Sequence, residues 1–172
     1  MKASEMKATK NKETILAQFS DGPGQLENAL KGLSESDLDC APSQGGWSIR
    51  ELVHHIADGD DIWKICIKMA LGNEKAEFHL EWYWAFPQIH WASSWAYPHR
   101  SIRTSLDLLR TSRTHILALL DRRPDGWERS VEIREPDGKI TSVSVGFVVE
   151  MQANHVFHHI KRILEIREEH GV

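Results

Sequence analysis

The sequence predicts an all-α protein: a four-helix bundle with a long aromatic-rich crossover between its second and third helices and a small hairpin before the fourth. Four segments place apolar residues at helical spacing. A chain of 172 residues suits one compact domain with its own core. We therefore expect a single domain over residues 1–172, in which residues 1–10 form a loose N-terminus.

The first helix is expected from about Asn11 to Leu33, where leucines continue an apolar stripe. The sequence Asp-Gly-Pro-Gly at residues 21–24 is a turn signal, because glycine and proline both disfavour a helix interior. We expect it to interrupt or delay the helix. Residues 34–47, with one proline and two glycines, are predicted to form a loop.

The second helix has the clearest start in the chain. Ser48 is a good N-cap residue, and Glu51, three residues later, can reach back to the backbone N–H of the cap. The apolar pattern continues to about Leu71. Gly72-Asn73 then provides a stop.

The crossover, residues 78–99, contains four tryptophans, two tyrosines and two phenylalanines without a sustained period. We interpret it as a structured segment with one short helix. Its rings could line a substrate pocket, belong to the core or form a dimer contact, since amphipathic rings suit all three. The candidate pocket residues are Trp82, Trp84, Trp91 and Trp95. Three histidines of this segment are expected to be ordinary loop residues: His79, His90 and His99.

The third helix is expected from about His99 to Leu120, before the turn sequence Pro-Asp-Gly at residues 124–126. Alternating residues in Trp127–Val145, around a second Pro-Asp-Gly, predict a hairpin. The last helix should run from Ser144 or Val145 to Glu169. Four arginines of the third helix are expected on a solvated face: Arg100, Arg103, Arg110 and Arg113.

Composition excludes several classes of partner and compartment. The formal net charge of -4 gives no electrostatic reason to expect nucleic acid or an anionic membrane as the main partner. Cys40 and Cys66 are too few for a disulfide framework. The N-terminal residues lack an apolar stretch long enough for a signal peptide, and no segment has the length of a membrane span. We expect a cytoplasmic protein.

Three histidines form a candidate metal site. His155 and His159 are four residues apart on the last helix and so share one face. On helical wheels both lie beside the apolar residues, as does His55 on the second helix, whereas His54 and His158 point away. Neutral imidazoles are good ligands for zinc, nickel, copper or iron. Inward histidines also occur as hydrogen-bonded core residues, and this alternative stays open.

Three protein ligands would leave a fourth position open, as in catalytic zinc sites and unlike closed structural ones. Asp58 and Glu51 each lie one turn from His55 and could orient its ring by a hydrogen bond. Because we favour the capping box for Glu51, Asp58 is the candidate for this role, and a place on a solvated helix face is the alternative for Asp58.

The second and last helices resemble those of the DinB-like superfamily. Residues 46–58, GWSIRELVHHIAD, are similar to its second-helix motif, and residues 155–159, HVFHH, to its final-helix motif. The resemblance is closest to the YfiT branch, the bacillithiol transferase-like proteins. It implies a four-helix bundle and a metal held by three histidines, here His55, His155 and His159. Arg162 stands where many members carry glutamine or histidine.

The resemblance implies a metal-dependent enzyme that acts on a small molecule. The expected cofactor is one divalent ion, with zinc or nickel favoured and iron as an alternative. The expected reaction is transfer of a low-molecular-weight thiol to an electrophile, and hydrolysis by metal-bound water is the close variant. The competing hypothesis is a non-enzymatic binding or stress-response module in which the metal is structural or absent. A homodimer is a further expectation from the aromatic residues.

Overall fold

The computed structural model describes residues 11–172, apart from the side chain of Trp84. The predicted loose N-terminus lies outside the described residues. Four long helices dominate the described part of the chain: α1 (Lys12–Leu30), α2 (Ile49–Gly72), α5 (Ile102–Asp121) and α6 (Val145–His170). Helix α1 packs on α6, and α2 packs on both α5 and α6. Within residues 11–172, no helix combines the length and the apolar character needed to cross a membrane.

The protein is mostly helical as predicted, but the predicted hairpin belongs to a small three-stranded sheet with one strand that we did not predict. Strands β2 (Ser130–Arg134) and β3 (Ile140–Ser144) form the predicted hairpin. The unpredicted strand β1 (Glu77–His79) pairs in parallel with β2. A strand of three residues is too short to display an alternating pattern, and its partner is more than fifty residues away in sequence.

The crossover has more regular structure than we predicted. It contains two short helices, α3 (Glu81–Ala85) and α4 (Gln88–Ser94), and a 3₁₀ turn at Tyr97–His99. Because that turn precedes it, α5 begins at Ile102 and not at His99. The side chain of Trp91 is buried and packs in the core with Tyr83 and Tyr97.

The predicted capping box at the start of α2 is confirmed. The Ser48 side chain accepts a hydrogen bond from the backbone N–H of Glu51, and the Glu51 carboxylate accepts one from the N–H of Ser48. Ser144 caps α6 in a similar way by accepting from the N–H of Phe147. These caps fix the first turns of the two helices that carry the candidate ligands.

Helix α1 is not interrupted at residues 21–24, contrary to our expectation. Pro23 has no N–H, so the carbonyl of Phe19 loses its partner within the helix. The Arg113 guanidinium on α5 replaces that donor, with Nη1 2.9 Å from the Phe19 oxygen. A Cβ at Gly22 would lie 2.5 Å from the same Nη1, so glycine leaves room for the guanidinium.

Arg113 is correspondingly not on a solvated face. Only 1% of its surface is exposed. Its Nε and Nη2 donate to the two carboxylate oxygens of Asp60 on α2, at 2.6 and 3.1 Å, and Nη2 also donates to the Gln152 carbonyl on α6. One side chain thus links all four long helices. Of the other three arginines, Arg103 and Arg110 are exposed as predicted and Arg100 is partly buried.

Candidate metal centre

The three predicted histidines meet where α2 packs against α6. The Nε2 atom of His155 lies 3.0 Å from Nε2 of His55 and 3.0 Å from Nε2 of His159. Their candidate ligand atoms all lie within 4.8 Å of one another. In the described part of the chain, no cysteine or carboxylate joins this group.

Packing holds the rings in this arrangement. The Trp47 ring, just before the cap of α2, lies against His55 with ring centroids 4.3 Å apart. The rings of His155 and His159 meet edge to face at 4.5 Å, as expected for residues one helical turn apart. His55 is buried, and the other two are half-buried.

Burial keeps the three imidazoles neutral. It lowers the pKa of His55 to about 2, and repulsion from the neighbouring His155 and His159 adds to the effect. It likewise lowers the pKa of His155 to about 4, with Arg113 as the next cause. For His159, burial and then the proximity of His155 lower the pKa to about 3. Neutral rings carry the lone pair that a metal requires.

The donor set fits a divalent metal ion better than a network of hydrogen bonds. An Nε2 atom of a neutral ring carries either one proton or one lone pair, so His155 can make one linear hydrogen bond across its two contacts. In a tetrahedral site with metal–nitrogen bonds of about 2.0–2.1 Å, nitrogen ligands lie roughly 3.3 Å apart. The two observed separations of 3.0 Å are close to this value. The histidines could therefore hold one ion through Nε2.

A cavity of about 560 Å³ lies beside the histidines. This volume is in the range of small-molecule sites. Its walls are mainly apolar, formed by Trp47, Trp63, Tyr83 and Met151. Two glutamines, Gln88 and Gln152, also line it, as does the exposed His158 at its edge. No aspartate, glutamate, lysine or arginine is among the described residues that form the wall.

Asp58 does not orient His55 as we expected. Its carboxylate faces the other side of α2, where Oδ2 lies 3.8 Å from Arg100 Nη1. Burial raises the pKa of Asp58, and the nearby Tyr97 hydroxyl and Arg100 guanidinium oppose that rise. Nδ1 of His55 has no hydrogen-bond partner among the described residues. A separation of three residues rotates a helical side chain by about 60°, which is enough to turn Asp58 towards Arg100 and Tyr97, just before α5.

The histidines that we excluded lie outside the group. His54 is fully buried against α5, with Nδ1 2.8 Å from Ser105 Oγ and Nε2 3.3 Å from the Arg100 carbonyl oxygen. Burial lowers its pKa to about 4. His158 is exposed. Three crossover histidines are also exposed: His79, His90 and His99.

Among the described side chains, the crossover contributes to the cavity through residues other than the predicted Trp82, Trp91 and Trp95. Trp91 belongs to the core, while Trp82 and Trp95 are 47% and 37% exposed, and none of the three lines this cavity. The side chain of Trp84 lies outside the described part of the structure. Tyr83 and Gln88 form this wall instead. Sequence analysis missed both, because short helices α3 and α4 have no periodicity that indicates which side chains face inward.

Comparison with known proteins is consistent with this architecture. Residues 18–163 match the model of the DinB superfamily. A relative in Oceanobacillus iheyensis, OB0782, is 27% identical over 150 residues, covering 87% of this chain and 81% of its own. A Bacillus cereus relative is 23% identical over 159 residues, covering 91% and 85%. Both relatives are named as proposed metal-dependent hydrolases.

The structure is also similar to that of YfiT from Bacillus subtilis, with a TM-score of 0.78 and 24% sequence identity. The match covers 99% of this chain and 94% of YfiT, which is described as having an unusual four-helix bundle topology. This likeness supports the predicted bundle, and the family match confirms the predicted resemblance to the DinB-like superfamily. The chain belongs to the DinB superfamily.

Proposed function

We propose that this protein is a metal-dependent enzyme that hydrolyses a small molecule at a centre formed by His55, His155 and His159. The observation that carries the proposal is the convergence of three neutral Nε2 atoms at the wall of an apolar cavity. The names of the relatives support the same class, since they propose metal-dependent hydrolases.

Three protein ligands leave a coordination position for water or substrate, as in catalytic zinc sites. A divalent ion held there would lower the pKa of a water or thiol in that position and polarise a substrate carbonyl. Imidazole ligands suit zinc, nickel and iron alike, and zinc or nickel is the ion that we favour.

Residues around the histidines hold a ligand ring in place and form an apolar surface for the substrate. Trp47 holds the His55 ring in place by direct packing. Trp63, Tyr83 and Met151 provide apolar surface that binds the body of a substrate and excludes bulk water. Exclusion of water strengthens the electrostatic interactions inside the cavity.

Transfer of a thiol to an electrophile is the second candidate, and one observation favours it. No carboxylate is among the described residues of the cavity wall. Hydrolysis usually needs a general base to take a proton from water, whereas a thiol binds a metal as thiolate and is already a nucleophile. In the hydrolytic reaction, His158 at the edge of the cavity is the remaining candidate base.

A purely structural metal is the non-enzymatic alternative. Structural zinc sites are normally closed by a fourth protein ligand. Among the described residues, the ligand group has three members, and the open side is a cavity. We therefore favour an enzyme over a binding or stress-response module.

Two assays test the proposal on protein purified without a histidine tag. The first follows hydrolysis of p-nitrophenyl acetate, and the second follows addition of glutathione to 1-chloro-2,4-dinitrobenzene. We expect at least one rate to depend on added zinc or nickel and to fall more than about 100-fold in the double variant His155→Ala/His159→Ala. His115→Ala, an exposed histidine on α5, is the matched control and should keep the native rate.

Metal-dependent hydrolysis would support the first candidate, and metal-dependent thiol addition alone would support the second. Background rates in both assays, from a protein that holds a full equivalent of metal, would contradict the enzymatic proposal and favour the binding module.

A further inference from the structure

Among the described residues, the cavity wall has no aspartate, glutamate, lysine or arginine, which restricts what it can bind. Apart from the histidines, the wall offers aromatic and thioether surface together with two amides, Gln88 and Gln152. A charged group that entered would lose its hydration without gaining an ionic partner from the protein. The chemistry of the wall therefore selects a ligand with an uncharged, apolar body.

Gln152, one of the residues that line the cavity, has a buried hydrogen-bond acceptor without a partner among the described residues. It is 3% exposed, and its Nε2 donates to the backbone carbonyl of Asp60 at 3.0 Å. A carbonyl can only accept, so this contact identifies the side-chain nitrogen and leaves Oε1 as the free end. Oε1 has no partner among the described residues. Buried acceptors without a partner are rare and costly in native proteins, so one at a cavity wall indicates a ligand that supplies the donor.

Gln152 is also placed on the face of α6 that carries the metal ligands. It lies three residues before His155 and seven before His159, so it is rotated from His159 by only about 20°. The three side chains form one stripe along the cavity. A group bound at Gln152 is therefore about one helical turn from His155 and about two turns from His159.

We propose that the cavity binds an uncharged small molecule with an apolar body, and that Gln152 Oε1 accepts a hydrogen bond from an N–H or O–H group of that molecule. This inference names the substrate class of the enzyme proposed above and rests on that function. The amide of Gln152 would set the orientation of the substrate, while the aromatic wall would supply most of the contact area.

Three fluorinated probes test the inference by ¹⁹F NMR titration of the protein as purified and after chelation. They are 4-fluorobenzamide, which has an N–H donor, 4-fluoro-N,N-dimethylbenzamide, which has none, and the charged 4-fluorobenzoate. We expect the native protein to bind the primary amide about tenfold more tightly than the dimethylated one, as one hydrogen bond would allow. In chelated protein the benzoate should bind more weakly than the primary amide.

Gln152→Leu replaces the amide by an apolar side chain of similar size, which removes the acceptor together with the Nε2 hydrogen bond to the Asp60 carbonyl. We expect it to reduce the affinity ratio of the two amides at least fivefold. The matched control is Met151→Leu, a change in the same wall that retains the acceptor and should retain the ratio. Circular dichroism melts check that both variants fold, and the comparison of probes on native protein stands without either variant.

Equal binding of the two amides by native protein would overturn the inference. So would an unchanged ratio in Gln152→Leu, tightest binding of benzoate by the chelated protein, or binding of none of the probes. These readouts need no turnover. Loss of the proposed function with a preserved amide preference would refute the function alone, and a functional enzyme without the preference would refute the inference alone.

Discussion

Two buried polar clusters lie side by side between α2 and α6, and they differ in how far their hydrogen bonds are satisfied. In the first, Arg113 donates to both carboxylate oxygens of Asp60 and to the carbonyls of Phe19 and Gln152. In the second, the Nε2 atoms of the three histidines converge on one point, while Nδ1 of His55 and of His159 have no partner among the described residues.

The difference distinguishes buried polar groups that hold the helices together from buried polar groups that can bind a ligand. A buried ion pair whose donors are almost all used has little capacity left for a ligand, and its role is to hold helices in place. Buried lone pairs that point at each other destabilise the protein unless something binds them. The arginine cluster should therefore control stability, and the histidine cluster should control metal binding.

We expect the largest loss of stability when the arginine cluster is changed. Arg113→Met leaves the Asp60 carboxylate buried without its partner and also removes the donor that replaces the missing N–H of Pro23. We expect a loss of about 3–5 kcal/mol in the free energy of unfolding, measured by urea denaturation. Arg103→Met is the control, because that side chain is exposed and should contribute less than about 0.5 kcal/mol. Equal effects of the two variants would contradict the role of the cluster.

Removal of the metal should have the next largest effect. A ligand that binds only the folded state at 100 times its Kd stabilises that state by about 2.7 kcal/mol. We expect chelation to lower the Tm of the zinc- or nickel-loaded native protein by several degrees. In His155→Ala/His159→Ala, chelation should leave the Tm unchanged. A chelator-dependent shift in that variant would mean that metal binds elsewhere.

The two adjacent histidines of α2 allow the stabilising role and the metal-binding role to be compared within one helix. His54 contacts Ser105 and the Arg100 carbonyl, so it resembles the arginine cluster, whereas His55 faces the cavity. We expect His54→Ala to lower the free energy of unfolding by about 2 kcal/mol with no loss of bound metal. His55→Ala should lose the metal. The two effects are separated by urea denaturation and elemental analysis of each variant, and metal loss in His54→Ala would argue against the assignment.

We expect the smallest change in stability when an exposed ion pair is removed. Arg123 and Arg129 beside Asp125 hold the pKa of its carboxyl below the usual value. A lowered folded-state pKa means that this stabilisation is present above the unfolded-state pKa of about 4 and is lost as the pH falls through the folded-state pKa. Asp125→Asn should therefore lose slightly less stability than native protein on acidification. A steeper loss in urea denaturation at low pH would contradict this sign.

Sequence periodicity predicted the features that depend on local spacing. The cap at Ser48 and the inward faces of α2 and α6 follow from neighbours within two turns, and they were enough to select His55, His155 and His159. Features that depend on distant partners were not predictable in this way. The continuation of α1 through Pro23 requires a donor ninety residues away, and β1 exists because β2 offers it a pairing edge.

Gln152 is an intermediate case. Its spacing from His155 places it on the ligand face, but a glutamine on a helix has no distinctive pattern until its amide is seen to bond the Asp60 carbonyl. The prediction that Asp58 orients His55 was wrong for the opposite reason. One turn of separation from His55 suggested contact, whereas in the structure the Asp58 carboxylate lies beside Arg100 and Tyr97.

The metal content of the protein is the most direct test of the three-histidine centre. Native protein without a histidine tag, incubated with zinc or nickel and desalted, would be compared by elemental analysis with His155→Ala/His159→Ala and with His115→Ala. We expect about one equivalent of metal in the native protein and in His115→Ala, and almost none in the double variant. Native protein that stays empty, or a double variant that keeps its metal, would contradict the three-histidine centre.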